Sequence, residues 1–115
     1  MLTNKLADIL KNKGISINNK GEQPTNGFMV STKDVYLKSK VLTRELLLSY
    51  WKTNKVKLET IDNLYLGVWY DVNEGFWYIG LSLNIMDKKE ALEVARENKQ
   101  LAIYDINENI SIYLK

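Results

Sequence analysis

Residues Leu64 to Leu114 read LYLGVWYDVNEGFWYIGLSLNIMDKKEALEVARENKQLAIYDINENISIYL, and this stretch carries the apolar patterning that decides the fold. Leu64 to Asp71 and Phe76 to Leu83 are rich in aromatic and aliphatic residues. The intervening Asp71-Val72-Asn73-Glu74-Gly75 is turn chemistry with glycine last, which signals a hairpin. A loop over Val72 to Gly75 sets Tyr70 opposite Trp77, Val68 opposite Ile79, Leu66 opposite Leu81 and Leu64 opposite Leu83, all on one side of the pleat. The other side then carries Trp69 opposite Tyr78, Gly67 opposite Gly80 and Tyr65 opposite Ser82. A slip of one residue would mix the two sets, so their clean separation argues for this register.

A helix follows the hairpin. Asp87 can accept the Glu90 backbone N–H while the Glu90 side chain reaches back, a capping box worth ~1 kcal/mol. Ala91, Leu92, Val94 and Ala95 recur at helical spacing, and Arg96, Lys99 and Gln100 close the last turn near the negative end of the helix dipole. The small Ala91/Ala95 ridge suits close packing on the aliphatic side of the sheet. Leu101 to Ile106 and Ile110 to Leu114 are two further strands. We expect a three-residue loop, Asn107-Glu108-Asn109, because it puts Ala102, Tyr104, Ile106, Ile110, Ile112 and Leu114 on one face and keeps Asp105 out of the core.

Working back towards the N-terminus, Thr3 can cap a helix carrying Leu6, Ala7, Ile9 and Leu10, which Gly14 stops. It is read as a helix laid on the edge of the domain, with docking to a partner as the sharper alternative. Ile15 to Ile17 is a short strand, and Asn18 to Asn26, with the only proline, is a loop. Gly27 to Thr32 is a strand, Lys33 to Lys40 is polar and basic without a clear period, and Thr43 caps a helix from Arg44 to about Asn54 with Leu46, Leu47, Tyr50 and Trp51 on its apolar face. The expectation is one α+β domain over residues 1–115, with an N-terminal helix and loop at 1–26 and a core at 27–115. Its mainly antiparallel sheet has four to six strands, with two or three helices packed on it.

The chain has 115 residues, enough for one hydrophobic core, and neither cysteine nor histidine. That excludes thiol nucleophiles, imidazole bases, Cys/His zinc sites and haem ligation. The opening MLTNKLADILKNKG mixes polar and charged residues and does not read as a signal peptide. The apolar runs are too short to span a bilayer. The net charge of +2 hides an asymmetry: residues 1–58 hold 11 Lys/Arg against 4 Asp/Glu, while residues 59–115 hold 5 against 10. A basic front half suits nucleic acid. The plainer account is that the halves attract one another or are simply solvated.

No reaction is written in the acidic residues. Asp71 and Glu74 belong to a turn, Asp87 and Glu90 to a cap, and Asp105 and Glu108 flank the last turn; Glu59 and Asp62 lie in a polar connection. None has a spacing that demands a metal or an acid/base pair, and no nucleotide-binding or nucleophile-elbow motif is present. We expect no catalytic group, metal or cofactor. The candidates are surfaces. Tyr65, Trp69, Tyr78 and Tyr113 share the second face of the sheet, with Phe76 at its rim and Gly67 and Gly80 leaving a shallow gap. Such a face can stack bases or anchor a protein partner, but two amphipathic helices need somewhere to dock, which favours burying it beneath them. Lys52, Lys55 and Lys57 form a basic cluster, and Lys33, Lys38, Lys40 and Arg44 offer contacts to nucleic acid.

A resemblance adds a setting. Leu66-Gly67-Val68-Trp69-Tyr70-Asp71, Met86-Asp87 with Glu90-Ala91, the run from Ala95 to Asp105, and Gly27 to Ser31 upstream together resemble a group of small proteins encoded on phages, plasmids and conjugative elements of Gram-positive bacteria. The similarity covers roughly residues 27–114, and its motifs are strand and cap residues without chemistry of their own. It implies an accessory protein in the cytoplasm of a bacterial host that binds and inhibits a host macromolecule, most plausibly a defence component in the manner of an anti-CRISPR protein. The partner would be a host protein or a protein–nucleic acid complex. Direct binding of nucleic acid is the alternative, and an oligomerising structural module the plainest one.

Overall fold

The apolar runs Leu64–Asp71 and Phe76–Ile85, on either side of a turn, form the two longest strands among the described residues. The computed structural model describes residues 9–11, 14–34 and 36–114. In chain order these form a helical turn at 9–11 (α1), strands β1 (Gly14–Ile17), β2 (Phe28–Ser31) and β3 (Leu37–Ser39), helix α2 (Arg44–Thr60), strands β4 (Leu64–Asp71) and β5 (Phe76–Ile85), helix α3 (Lys88–Glu97), and strands β6 (Ala102–Asp105) and β7 (Ile110–Tyr113). All strand pairs are antiparallel, in the order β1-β4-β5-β2-β6-β7. β3 pairs with the first half of β5, beyond the end of β2. The α+β expectation holds, with one strand more than anticipated.

The central hairpin has the expected register at every pair from Leu64↔Leu83 to Asp71↔Phe76. Gly75, at φ 75°, closes the loop by donating its N–H to the Asp71 carbonyl at 2.8 Å. The caps expected at Thr43 and Asp87 are present, and the one at Thr3 lies outside the described residues. The Leu46 N–H donates to Thr43 Oγ1 at 3.1 Å, and the Glu90 N–H to Asp87 Oδ2 at 2.9 Å.

The core lies entirely on one face. Leu47, Tyr50 and Leu58 of α2 pack on Leu66, Val68, Trp77 and Ile79, joined by Ile9 and Ile17. Ala91 and Ala95 of α3 pack on Val30 and Ile103 in a second cluster. Each fully buried aliphatic side chain here contributes ~1.5–3 kcal/mol.

Three expectations are corrected. Helix α2 runs six residues beyond Asn54, to Thr60, because Asn54 does not end the apolar stripe. It is buried in it, with its Nδ2 donating to the Tyr50 carbonyl at 2.9 Å. The last hairpin pairs Asp105 with Ile110, so its loop has four residues, 106–109, rather than three. Ile103 therefore faces the core, and Tyr104 the opposite side. Finally, both long helices pack against the aliphatic face, leaving the aromatic face uncovered among the described residues. The helix expected at the N-terminus falls largely outside those residues. Of its described part, Ile9 is buried in the main core cluster and Leu10 is exposed.

Candidate functional site

Because side chains alternate along a strand, the uncovered face collects what the core does not use. From β1 across to β7 it presents Ser16, then Tyr65, Gly67 and Trp69, then Phe76, Tyr78, Gly80 and Ser82, then Met29 and Ser31, then Ala102 and Tyr104, then Ser111 and Tyr113. The floor is made of serine, glycine and alanine; the walls are aromatic.

Trp69 and Tyr78 form the main wall. Their rings are 5.3 Å apart and inclined by 11°, an offset stack. The indole lies over the two glycines. A Cβ on Gly80 would lie 3.9 Å from the indole, and one on Gly67 4.0 Å from it. Tyr36 completes the wall, with its ring 5.6 Å from that of Tyr78 and its Cβ 3.4 Å from where a Gly80 Cβ would be.

Tyr36 reaches this position through a break in the sheet edge. Ser31 pairs with Ser82 and Leu37 with Ile79, so five positions on this side answer only two, 80 and 81, on β5, and β2 and β3 do not form one continuous ladder. The excursion is pinned at several points. The Thr32 N–H donates to the Leu81 carbonyl at 3.0 Å, Thr32 Oγ1 donates to Asp34 Oδ2 at 2.8 Å, and Lys57 of α2 pairs with Asp34 Oδ1. The Lys57 ammonium holds the Asp34 carboxyl below its ordinary pKa, with the Thr32 hydroxyl adding to the effect.

Two hollows result. The larger, about 830 Å³, crosses the sheet between Trp69 and Tyr104 over Ser16, Gly67, Ser82, Ser31 and Ser111, and none of its lining residues is charged. A smaller one of about 230 Å³ lies among Tyr36, Trp69, Tyr78, Asp34 and Gln100; the two hollows share Ser31 and Trp69. One bank of the larger trough is the connection from β1 to β2, through Gln23 and Pro24. That connection is built rather than loose. Asn18 Oδ1 accepts the Lys20 and Glu22 N–H groups at 2.9 Å each, and Asn84 Nδ2 donates to the Asn26 carbonyl at 3.0 Å.

Apart from Asp34 in the smaller hollow, charge on this face sits at the rim. Lys38 Nζ lies 4.5 Å from the Phe76 ring centre and 3.5 Å from Glu74 Oε2, and Lys40 Nζ lies 5.9 Å from the same ring. The Tyr78 hydroxyl donates to Glu74 Oε1 at 2.5 Å, which raises the tyrosine pKa above its ordinary value. Tyr78, followed by Glu74, raises that of Lys38 in turn.

The structure thus brings together Trp69, Tyr78, Lys38 and Lys40; Tyr65 shares their face but lines neither hollow, and Lys52, Lys55 and Lys57 are exposed on α2 in the layer behind the sheet, from which Lys57 reaches Asp34 at the smaller hollow. Lys33 is exposed on the excursion, and Arg44 in the first turn of α2. Tyr36 and Tyr104 were not anticipated as site residues. Tyr36 had no periodic signal to reveal it, whereas Tyr104 was readable from the turn that follows β6. Among the described residues, no group of three or more carboxylates is placed to hold a metal ion, and no helix is long and apolar enough to cross a membrane. No protein-family model, curated protein or solved structure matches the chain.

Proposed function

We propose that the protein works by binding another protein, which enters the trough on the uncovered face and packs against the Trp69–Tyr78 stack. The observation that carries this reading is the trough itself: about 830 Å³, uncharged, floored by small residues and walled by aromatics, on the face opposite the core. Tyrosine and tryptophan are the side chains on which protein interfaces most often depend, at ≥ ~2 kcal/mol each where they are central. A neutral floor suits a partner's backbone and apolar side chains better than a phosphate chain. The resemblance to proteins of mobile elements supports a further step. On that reading the partner is a defence component of the bacterial host, inhibited non-enzymatically by being covered, in the host cytoplasm.

The experiment is capture from a bacterial host lysate on the immobilised chain and on variants. Ser82→Arg fills the floor of the trough without entering the core, and Lys52→Ala with Lys55→Ala alters only the far side of α2. A host protein retained by wild type and by the lysine variants, and lost with Ser82→Arg, is the expected result. Capture of nothing above background, or capture indifferent to Ser82→Arg, refutes the proposal.

One observation favours a second reading, single-stranded nucleic acid: Lys38 and Lys40 flank the Phe76 ring beside Tyr78, a combination that can stack a base and hold a phosphate. It ranks second because Glu74 already pairs with Lys38, Asp34 with Lys57, and the trough has no cation along it. A gel-shift series at low salt with no complex disposes of it.

A further inference from the structure

Among the described residues the sheet ends on β7, and no strand pairs with its outer side. Ile110, Ser111, Ile112 and Tyr113 include no charge and no proline, and their pairing with β6 has no bulge, so of the devices that blunt a sheet edge this four-residue strand has only its shortness. The other edges differ. β3 is three residues long and carries Lys38, and every residue of β1 is at least partly buried.

The Leu114 N–H donates to the Leu101 carbonyl at 2.9 Å, which sets the phase of the β6–β7 ladder. Pairs alternate along an antiparallel ladder, so Ile112 and Ile110 bond inward to Ile103 and Asp105, while Ser111 and Tyr113 point their N–H and C=O groups outward.

We propose that β7 pairs antiparallel with β7 of a second copy of this chain, about a two-fold axis through Ile112. In that register Ser111 faces Tyr113 of the second copy and the reverse, and each pair exchanges both of its backbone hydrogen bonds. The side chains agree with it. On the core side Ile112 meets its own counterpart and Ile110 meets Leu114; on the open side Tyr113 covers Ser111. Ile110 and Tyr113, 52% and 74% exposed in the single chain, both lose solvent, and no like charges are brought together. A foreign strand would have to supply matching side chains on both faces, whereas a second copy supplies them by symmetry. The contact is short, below the ~1,000 Å² of a tight interface, so the dimer is reversible and fills at high protein concentration. Pairing would also run the two open faces together, because Ser111 lines the trough.

Sedimentation velocity of the full chain across a concentration series tests this, with the mass expected to climb from 13.4 kDa towards twice that value. Ser111→Pro deletes an outward donor and leaves the bonds to β6, so it should hold the chain at the lower mass; far-UV circular dichroism confirms that the variant is folded. The chain has no cysteine, so Ile112→Cys introduces a single thiol beside its own counterpart, where Cα atoms of a non-hydrogen-bonded pair lie ~4.5 Å apart, within disulfide reach. It should oxidise to a covalent dimer roughly tenfold faster or more than Leu101→Cys, which is exposed but off the axis. A mass fixed at 13.4 kDa at every concentration, a dimer indifferent to Ser111→Pro, or cross-linking no faster than the Leu101→Cys control each overturns the proposal.

Discussion

Trp69 and Trp77 stand on neighbouring strands and point to opposite faces, so truncating each to alanine tests which side of the sheet is core. Trp77 is 6% exposed beneath α2 and Trp69 is 41% exposed on the open side. A tryptophan buries at most ~250 Å². Trp77 therefore keeps ~235 Å² from water and Trp69 ~150 Å², worth at most ~6 and ~4 kcal/mol at ~25 cal/mol per Å². Compactness of the unfolded chain removes about a quarter of each. Trp77→Ala then also leaves a cavity between α2 and the sheet, whereas water refills the site of Trp69.

Expected losses are thus about 5 kcal/mol for Trp77→Ala, cavity included, and about 3 kcal/mol for Trp69→Ala, against a total of ~5–15 kcal/mol for a typical domain. Urea unfolding followed by far-UV circular dichroism measures both, with equal m-values as the check that each variant unfolds from the same fold. Acrylamide quenching supplies an independent readout, since Trp69→Ala should remove the most accessible of the three indole signals. Equal losses, or a larger one at Trp69, would mean that the aromatic face is covered, and the proposed binding site would fall with it.

Further outcomes follow from single contacts. Gly27 sits at φ 85° with a would-be Cβ 2.7 Å from Met86 Cε and 3.0 Å from the Ile85 carbonyl oxygen, while Gly21 sits at φ 79° with nothing within 4 Å. In thermal unfolding Gly21→Ala should therefore cost only the left-handed backbone penalty of ~1–2 kcal/mol, and Gly27→Ala clearly more. Lys57 holds the folded-state pKa of Asp34 below the ordinary 3.8, so the pair stabilises above that value and its contribution is lost as pH falls from there through the lowered folded-state pKa. Asp34→Asn should accordingly lose up to about 1 kcal/mol at neutral pH in urea titrations, since both side chains are partly exposed, and match wild type in acid. Burial, reinforced by the Asp34 charge, pushes the Tyr50 pKa up to about 12, so stability falls as pH rises from 10 towards that value. A phenolate absorbance step near pH 12 should be present in wild type and missing from Tyr50→Phe.

Much of the fold was readable because local and global signals agree there. The β4–β5 register followed from a turn and from two side-chain sets that only one register separates. The caps at Thr43 and Asp87 followed from single oxygens placed to meet single amides. The signal failed where a polar residue works inside an apolar stripe. The helix is expected to end at about Asn54, but Asn54 sits inside the stripe, where the Tyr50 carbonyl one turn back accepts from its amide. β3 was hidden for a related reason. Its Lys38 faces the open side, where the ammonium rests on aromatic rings, so its three residues show no apolar alternation.

The open face turns on a resemblance within the chain. Asp71-Val72-Asn73-Glu74-Gly75 and Asp105-Ile106-Asn107-Glu108-Asn109 are the same turn written twice. In each, the aspartate ends a strand and its Oδ1 accepts the amide of the glutamate three residues on, at 3.2 Å in both. In each, the fifth residue takes a positive φ, 75° for Gly75 and 59° for Asn109, which asparagine tolerates better than most side chains. The first turn has four residues between paired positions, so the second has four as well. Counting apolar residues alone preferred three, since that moved Asp105 off the core side. But the carboxylate of Asp105 is occupied by the turn and remains half-exposed, so its position carries no burial penalty. Turn length sets strand parity, and parity sends Ile103 into the core and Tyr104 to the far wall of the trough. The make-up of the uncovered face thus depends on an aspartate that closes a loop.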